Sequence, residues 1–157
     1  MKKLKEGGFT LIELLVVIAI IGILAAIVLA SLGTARSKGS DAKIQEQLNS
    51  LRNAAEVYMS KNNNYGSATT AAQDCVAGDM GIDNVSGMAN IVAAANWPNL
   101  VQPLCVTNAV NGATAASAFA AWHVMNDGSY WCVDSTGASK YESFSFTPPT
   151  ITSAACP

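Results

Sequence analysis

The hydrophobic pattern of the chain changes character near residue 33. Residues 9–32 carry no charge except Glu13, so a helix there is apolar on every side. A helix needs about 20 apolar residues to cross a bilayer, and this segment is long enough. Across residues 34–61 the apolar residues recur at helical spacing on one face only: Ile44, Leu48, Leu51, Ala55 and Tyr58. The pattern predicts helix over residues 9–61, with one half suited to lipid or partner helices and the other to a folded domain.

Glu13 is the anomaly in the apolar run. A charge at the centre of a membrane helix costs about 2.5–3.5 kcal/mol or more, so this carboxylate needs a partner or water. Lys2, Lys3 and Lys5 stand just before the run, as expected of a cytoplasmic flank. The segment is therefore expected to be anchored with its N-terminus inside the cell.

A change to strand-like patterns follows the turn-forming residues 62–66. Residues 77–100 fit either a short helix or an ordered loop. Residues 119–125 and 129–134 are rich in β-forming side chains and are joined by Asn-Asp-Gly, which predicts a hairpin. A third strand is expected over residues 140–146, with Phe144 and Phe146 facing inward.

The four cysteines are Cys75, Cys105, Cys132 and Cys156, all in the part that would lie outside the cytoplasm. An even number of cysteines in an exported domain indicates two disulfides, and four cysteines allow three connectivities. Pairing Cys75 with Cys105 and Cys132 with Cys156 is favoured because each pair closes a local loop. Buried free thiols are the alternative interpretation.

The pattern of polar residues gives little support for catalysis. His123 and Asp127 could suggest a Ser-His-Asp site, but no nucleophile motif accompanies them, so a packed histidine is the preferred interpretation. The sequence holds no phosphate-binding loop or metal-binding motif. We therefore predict no enzyme activity, no catalytic residues and no cofactor.

Charge and metal ligands are also sparse. From residue 62 onward Lys140 is the only lysine or arginine, against six carboxylates, which disfavours direct nucleic-acid binding. Asp79 and Asp83 could suggest calcium, but this ion takes about 6–8 oxygen ligands. Two loop acids are better interpreted as solvated, so no metal is predicted.

The N-terminal residues resemble a known protein family. Residues 7–14, Gly-Gly-Phe-Thr-Leu-Ile-Glu-Leu, followed by the apolar residues 16–26, resemble the class III signal of type IV pilins and pseudopilins. The resemblance implies that a prepilin peptidase cuts between Gly8 and Phe9 and methylates the new N-terminus at Phe9. It implies three segments: a cleaved leader at 1–8, a hydrophobic transmembrane and assembly helix at 9–33, and a globular pilin domain at 34–157. The implied fold class is α+β, with a long N-terminal helix packed on a small antiparallel C-terminal sheet.

The resemblance also implies a role for Glu13. Cleavage would create a positive α-amine at Phe9, and the Glu13 carboxylate of a neighbouring subunit could pair with it and set the axial register of assembly. The alternative is that Glu13 lies near the membrane interface and stays hydrated. Gly22 is either a flexible point of the helix or a place where a neighbouring helix comes close.

The implied function is that of a structural subunit of a type IV pilus, active in adhesion or motility. The subunit would self-associate into a helical filament, served by the peptidase and by inner-membrane assembly machinery with a separate ATPase. The precursor would cross the bacterial inner membrane once, and the assembled pilus would be extracellular. One alternative is a pseudopilin of a type II secretion system. Another is a membrane-anchored binding module that never polymerises.

Overall fold

The computed structural model describes residues 8–67, 73–75, 83, 85–108, 115–143 and 154–156. Helix α1 extends from Leu11 to Asn62 and joins the two helical stretches that the sequence predicts. The chain forms two compact units, Met1–Lys38 and Gly39–Pro157, so α1 contributes to both.

The second half of α1 supplies the centre of the larger unit. Ile44, Leu48, Leu51 and Ala55 are almost completely buried, and they share a core with Phe119, Ala121 and Val133 of the sheet. These helix positions belong to the apolar face that the spacing predicts, and Tyr58 lies half-buried at the margin of the same core. Burial of this face stabilises the helix because packing of an apolar stripe contributes more than intrinsic helix propensity.

Helix α1 ends at a left-handed residue. Asn63 has φ 56° and donates its backbone N–H to the Met59 carbonyl at 2.8 Å, an arrangement that asparagine tolerates well. The chain then turns inward, and the Tyr65 ring lies 4.9 Å from that of Phe119. Burial, followed by the hydrogen bond from its hydroxyl to the Glu56 carboxylate, raises the pKa of Tyr65 to about 12.

The strands form one antiparallel meander in the order β1-β2-β3-β4-β5. Their bounds are β1 Gln73–Asp74, β2 Leu104–Asn108, β3 Ala118–Val124, β4 Tyr130–Asp134 and β5 Ser139–Glu142. The predicted hairpin is the β3–β4 pair, with Ala121 opposite Val133 and Val124 opposite Tyr130. The α+β fold class is confirmed. Strand β5 is the described part of the predicted third strand, whereas Phe144 and Phe146 lie outside the described residues.

The ambiguous region contains a short helix. Helix α2 runs from Met88 to Val92, and two single-turn 3-10 helices follow at Ala94–Asn96 and Pro98–Leu100. Met88, Val92 and Trp97 are buried in the core shared with α1. The Trp97 indole N–H donates to the Ile91 carbonyl at 2.6 Å, which ties the 3-10 turn to α2.

Two disulfides close local loops of the larger unit. Cys75 is bonded to Cys105 and Cys132 to Cys156, with Cα atoms 4.9 and 5.8 Å apart. These are the two pairs that the loop lengths favour. The first bond joins the chain just after β1 to β2, and the second holds the end of the chain against β4.

The sheet face opposite α1 forms a second, smaller core. Trp122, Val106 and Cys132 are buried there together with Ala154 and Cys156 of the C-terminal segment. The tail therefore covers apolar surface that the helix cannot reach. The Cys132–Cys156 bond provides the covalent part of this attachment.

Asp134, at the end of β4, provides the polar part of the attachment of the C-terminal segment. Its side chain is 1% exposed, and one carboxylate oxygen accepts from the Thr136 N–H, the Thr136 hydroxyl and the Ala138 N–H. The other oxygen accepts from the Cys156 N–H at 2.8 Å. Burial alone would raise the pKa of Asp134, but these hydrogen bonds outweigh burial and hold the pKa below its usual value.

The lowered pKa of Asp134 makes stability depend on pH. In the unfolded chain Asp134 takes up a proton near the ordinary aspartate pKa, about 3.9, whereas in the native chain Asp134 stays ionised to a lower pH. The stabilisation is therefore complete above that pH and is lost as the pH falls through the lower native pKa. We expect Asp134→Asn to lower the free energy of unfolding at pH 7 and to flatten its decline below pH about 5. Urea unfolding followed by tryptophan fluorescence across this range measures both effects.

The matched control is Glu46→Gln, which neutralises an exposed carboxylate on α1. In this variant the free energy of unfolding is expected to fall with decreasing pH as it does in the parent chain. If the free energy of unfolding of Asp134→Asn falls with pH as steeply as that of the parent chain, the role assigned to Asp134 is contradicted.

Candidate functional site

The candidate site is the first half of α1 with the residues that precede it. The large apolar side chains between Phe9 and Leu32 are exposed, from 48% at Val16 to 90% at Phe9. The helix is long and apolar enough to cross a membrane, and none of its most apolar stretch is buried inside the chain. A contiguous apolar surface of this extent marks a membrane or protein contact, because soluble surfaces rarely expose more than a few hundred Å².

Glu13 lies in the first turn of α1, where it forms a reciprocal cap with Thr10. The backbone N–H and the hydroxyl of Thr10 donate to one Glu13 carboxylate oxygen at 2.8 and 2.7 Å. In return, the Glu13 N–H donates to the Thr10 hydroxyl oxygen at 3.3 Å. This is a capping box, which satisfies two of the helix's unpaired N–H groups and places a negative charge at the positive end of the helix dipole.

The carboxylate thus has a partner within its own chain, which neither expectation for Glu13 included. Thr10 is a residue that the sequence reasoning missed. The signal was present, because threonine followed three residues later by glutamate at the start of an apolar run is the sequence signature of a capping box.

Other features of the apolar segment suit an apolar environment. The Ser31 hydroxyl donates to the Ile27 carbonyl one turn back at 2.8 Å, so its polar group is paired within the helix. Added bulk at Gly22 would meet nothing within 4 Å among the described residues. A close approach at Gly22 would therefore have to come from another molecule.

The residues considered for catalysis have separate partners. Buried His123 places its ring nitrogens 2.6 Å from the Val124 carbonyl and 2.9 Å from that of Val101. The Asp127 carboxylate instead accepts from the Ser129 N–H at 2.9 Å and from the Tyr141 hydroxyl at 2.9 Å. These Asp127 hydrogen bonds, with those from Ser129 contributing most, lower the pKa of its carboxyl group. The arrangement organises the β3–β4 turn and connects no base to a nucleophile.

The acids considered for calcium give no metal site in the part of the chain that the structure describes. Asp83 accepts from the Ser86 N–H at 2.7 Å and lies 4.0 Å from the Lys61 ammonium, whereas Asp79 lies outside the described residues. No group of three or more potential ligands occurs within the described ranges.

Comparisons with known proteins agree with the character of this segment. Residues 3–29 match the family model described as the prokaryotic N-terminal methylation motif. The chain is 47% identical over 64 residues to the type IV wide pilus major component PilA4 of Thermus thermophilus, and 40% identical over 65 residues to the type II secretion system core protein G of Aeromonas hydrophila. Each alignment covers 41% of this chain, and the chain spans about half the length of these two relatives, 49% and 46%.

A third relative aligns over most of the chain. It is named "Probable minor fimbrial protein" in Dichelobacter nodosus and is 31% identical over 151 residues, covering 87% of this chain and 92% of its own length. Its similarity therefore includes the domain that carries the sheet as well as the apolar helix. With the methylation motif at its N-terminus and this likeness along its length, the chain belongs to the type IV pilin and pseudopilin family.

Proposed function

We propose that this protein is a structural subunit of a type IV pilus, cut after Gly8 and polymerised through the first half of α1 into a surface filament for adhesion or motility. The observation that carries the proposal is the exposed apolar surface of residues 9–32. A domain that already has two buried cores has no internal use for that surface. Lipid covers it in the precursor, and the same segments of neighbouring copies cover it in the filament.

The role is structural, and the proposed partners follow from it. A prepilin peptidase removes residues 1–8 and methylates Phe9. Inner-membrane assembly machinery, with an ATPase on a separate protein, moves the subunit from the inner membrane into the extracellular filament. The globular domain faces outward and provides the contacts of the pilus with its surroundings.

A pseudopilin of a type II secretion system is the second candidate, supported by the similarity to the Aeromonas core protein G. That alignment covers 41% of this chain, whereas the alignment with the fimbrial protein covers 87%. The broader likeness favours the pilus.

Glu13 and Thr10 support a sequence of events in assembly. In the single chain the capping box holds the carboxylate within the first turn, which lowers the cost of a charge in lipid. Cleavage creates a charged amine at Phe9, and a carboxylate on a neighbouring helix is the partner that neutralises it in an apolar bundle. The Glu13 carboxylate would exchange its hydrogen bonds with Thr10 for an ion pair with the amine of the incoming subunit. This ion pair would set the axial register of that subunit.

Processing is tested by mass spectrometry of the chain purified from sheared surface material. We expect the mass of residues 9–157 plus one methyl group and minus the four hydrogens lost to two disulfides. Surface material that retains residues 1–8 would contradict processing at Gly8.

The choice between the two functions is tested by electron microscopy of cells at native expression. A pilus subunit predicts long surface filaments that disappear when the gene is deleted and return on complementation. Filaments seen only when a type II secretion system is overexpressed would assign the chain to the pseudopilins instead.

The register role of Glu13 is tested by Glu13→Gln, which preserves shape and removes the charge. We expect the variant to be processed and to accumulate in the membrane but to form few or no filaments, because the amine of each incoming subunit loses its partner. The control is Glu46→Gln in the domain, which should assemble normally. Filaments of Glu13→Gln in parental number would refute the register role.

The capping box is tested by Thr10→Val, which keeps the side-chain shape and removes the hydroxyl, with Thr10→Ser as the conservative control. Loss of an N-cap costs about 1 kcal/mol, so amide hydrogen exchange in the first turn of α1 should accelerate about fivefold in the valine variant only. The measurement uses the full chain in detergent micelles. Equal exchange in the parent chain and both variants would show that the cap contributes nothing.

A further inference from the structure

The turn of α1 that follows the apolar segment carries two cations without a partner. Arg36 and Lys38 are exposed, and neither side chain forms an ion pair or a hydrogen bond within the part of the chain that the structure describes. No acidic residue occurs between Glu13 and Asp41, so the local sequence supplies no counter-charge. Both charges are therefore available to a partner outside the chain.

Two of the three cations farther along α1 have partners in the domain. Arg52 donates to the Gly137 carbonyl at 3.0 Å, and the Lys61 ammonium lies 4.0 Å from the Asp83 carboxylate. Lys43, the third, is exposed. The two cations nearest to the apolar segment thus differ from those that help to hold the domain together.

The proposed membrane position places these two cations at the depth of the lipid head groups. Leu32 is the last large side chain of the apolar segment, and Arg36 and Lys38 follow it by about 6 and 9 Å along the helix. The polar layer on each side of a bilayer is about 5–8 Å thick. Helical side chains lean toward the N-terminus, here back toward the apolar segment, so both charged groups reach this layer.

The two side chains lie on nearly opposite sides of the helix. Residues two positions apart are separated by about 200° around the axis, so Arg36 and Lys38 do not share one face for a protein partner. Lipid, in contrast, surrounds a membrane helix and offers a phosphate group on every side. A Cβ added at Gly33 would meet nothing within 4 Å beyond its own helix backbone, so the described residues leave this turn uncovered. The arrangement fits lipid better than the acidic surface of a second copy.

Signals for membrane orientation do not account for these cations. Lys2, Lys3 and Lys5 already mark the inner side, and basic residues are expected there rather than beyond the outer end of the segment. Cleavage of the leader would remove these three lysines. The pair at positions 36 and 38 would then be the cationic side chains nearest to the apolar segment.

We propose that Arg36 and Lys38 form an outer collar, which binds the phosphate groups of anionic phospholipids in the outer leaflet of the inner membrane. The inference rests on the membrane-spanning precursor proposed above. Arginine matches a phosphate group with two N–H donors, and lysine contributes a compact charge. The outer collar also limits depth, because inward movement carries both charges into hydrocarbon, whereas outward movement does not. The processed subunit is held at one depth and can still leave the membrane outward into a filament.

The chain offers an internal control for the test, because Arg36 and Arg52 are its only arginines. The full chain, labelled with ¹³C at arginine Cζ, is reconstituted in vesicles of phosphatidylethanolamine and phosphatidylglycerol in phosphate-free buffer. Solid-state NMR measures the dephasing of each Cζ signal by lipid ³¹P, and Arg36→Lys assigns the two signals. We expect phosphorus within about 5 Å of the Arg36 Cζ, since N–H···O contacts to phosphate are about 2.8 Å long. No dephasing is expected at Arg52, which already donates to the Gly137 carbonyl.

Lipid selectivity is tested with spin-labelled phosphatidylglycerol and phosphatidylcholine in the same vesicles. A cation near an anionic head group raises the affinity of that position for the anionic lipid about fivefold. The double variant Arg36→Gln/Lys38→Gln should therefore lose most of the preference of the parent chain for phosphatidylglycerol. The matched control is Lys43→Gln/Lys61→Gln, which removes the same charge from the domain and should keep that preference.

Four results would overturn the outer collar: no dephasing at Arg36, equal dephasing at both arginines, an equal loss of selectivity in both double variants, or contact of Arg36 with labelled carboxylates of a second copy. The last result would make another subunit the partner. Contacts between acyl-chain protons and the leucine side chains of residues 9–32, recorded in the same vesicles, separate two kinds of failure. Without these contacts the membrane span itself fails, whereas with them only the outer collar fails.

Discussion

The physical constraint on which the structure depends is the apolar surface of residues 9–32, which the chain does not bury. Every other long apolar stripe in the described residues has a counterpart: the second half of α1 faces the sheet, and the opposite face of the sheet meets the C-terminal segment. A helix that is apolar all round cannot stay in water, because each exposed Å² of apolar surface costs about 25 cal/mol. Such a surface requires a cover, and lipid or the same segments of other copies are the covers that we propose.

The larger unit is small, and it retains its fold by using both faces of one sheet. Small domains bury a lower fraction of their surface, and disulfides commonly compensate. The Cys132–Cys156 bond and the Asp134 carboxylate attach the tail from the same strand, one covalently and one through hydrogen bonds. The β4 strand is thus the common support of the hairpin and the tail.

Two carboxylates of the described residues are satisfied in the same way. Glu13 in the apolar segment and Asp134 in the domain are both carboxylates satisfied by neighbouring N–H and O–H groups rather than by lysine or arginine. This fits a chain that has few cations after residue 62. Two buried atoms among the described residues depart from this pattern, Trp122 Nε1 and Gln47 Oε1, since neither has a hydrogen-bond partner.

Local patterns in the sequence were sufficient for the helix and the hairpin, and the resemblance to type IV pilins implied the fold class. Helical periodicity and an Asp-Gly turn depend on residues close in the chain, so they can be interpreted without knowing what packs against them. The paired cysteines are 30 and 24 positions apart, but four cysteines allow only three connectivities, so a preference for local loops was enough to choose among them. The Thr10–Glu13 cap was equally local and could have been predicted. The tail clamp at Asp134, the stacking of His123 on Trp97 and the unpaired Trp122 N–H could not, because each depends on residues more than 20 positions apart or on the shape of a packed surface. The sequence by itself determined that an apolar helix precedes a disulfide-bonded α+β domain. Only the tertiary structure decided which polar groups of the folded domain are satisfied by residues distant in sequence, because such hydrogen bonds depend on how the chain folds back on itself.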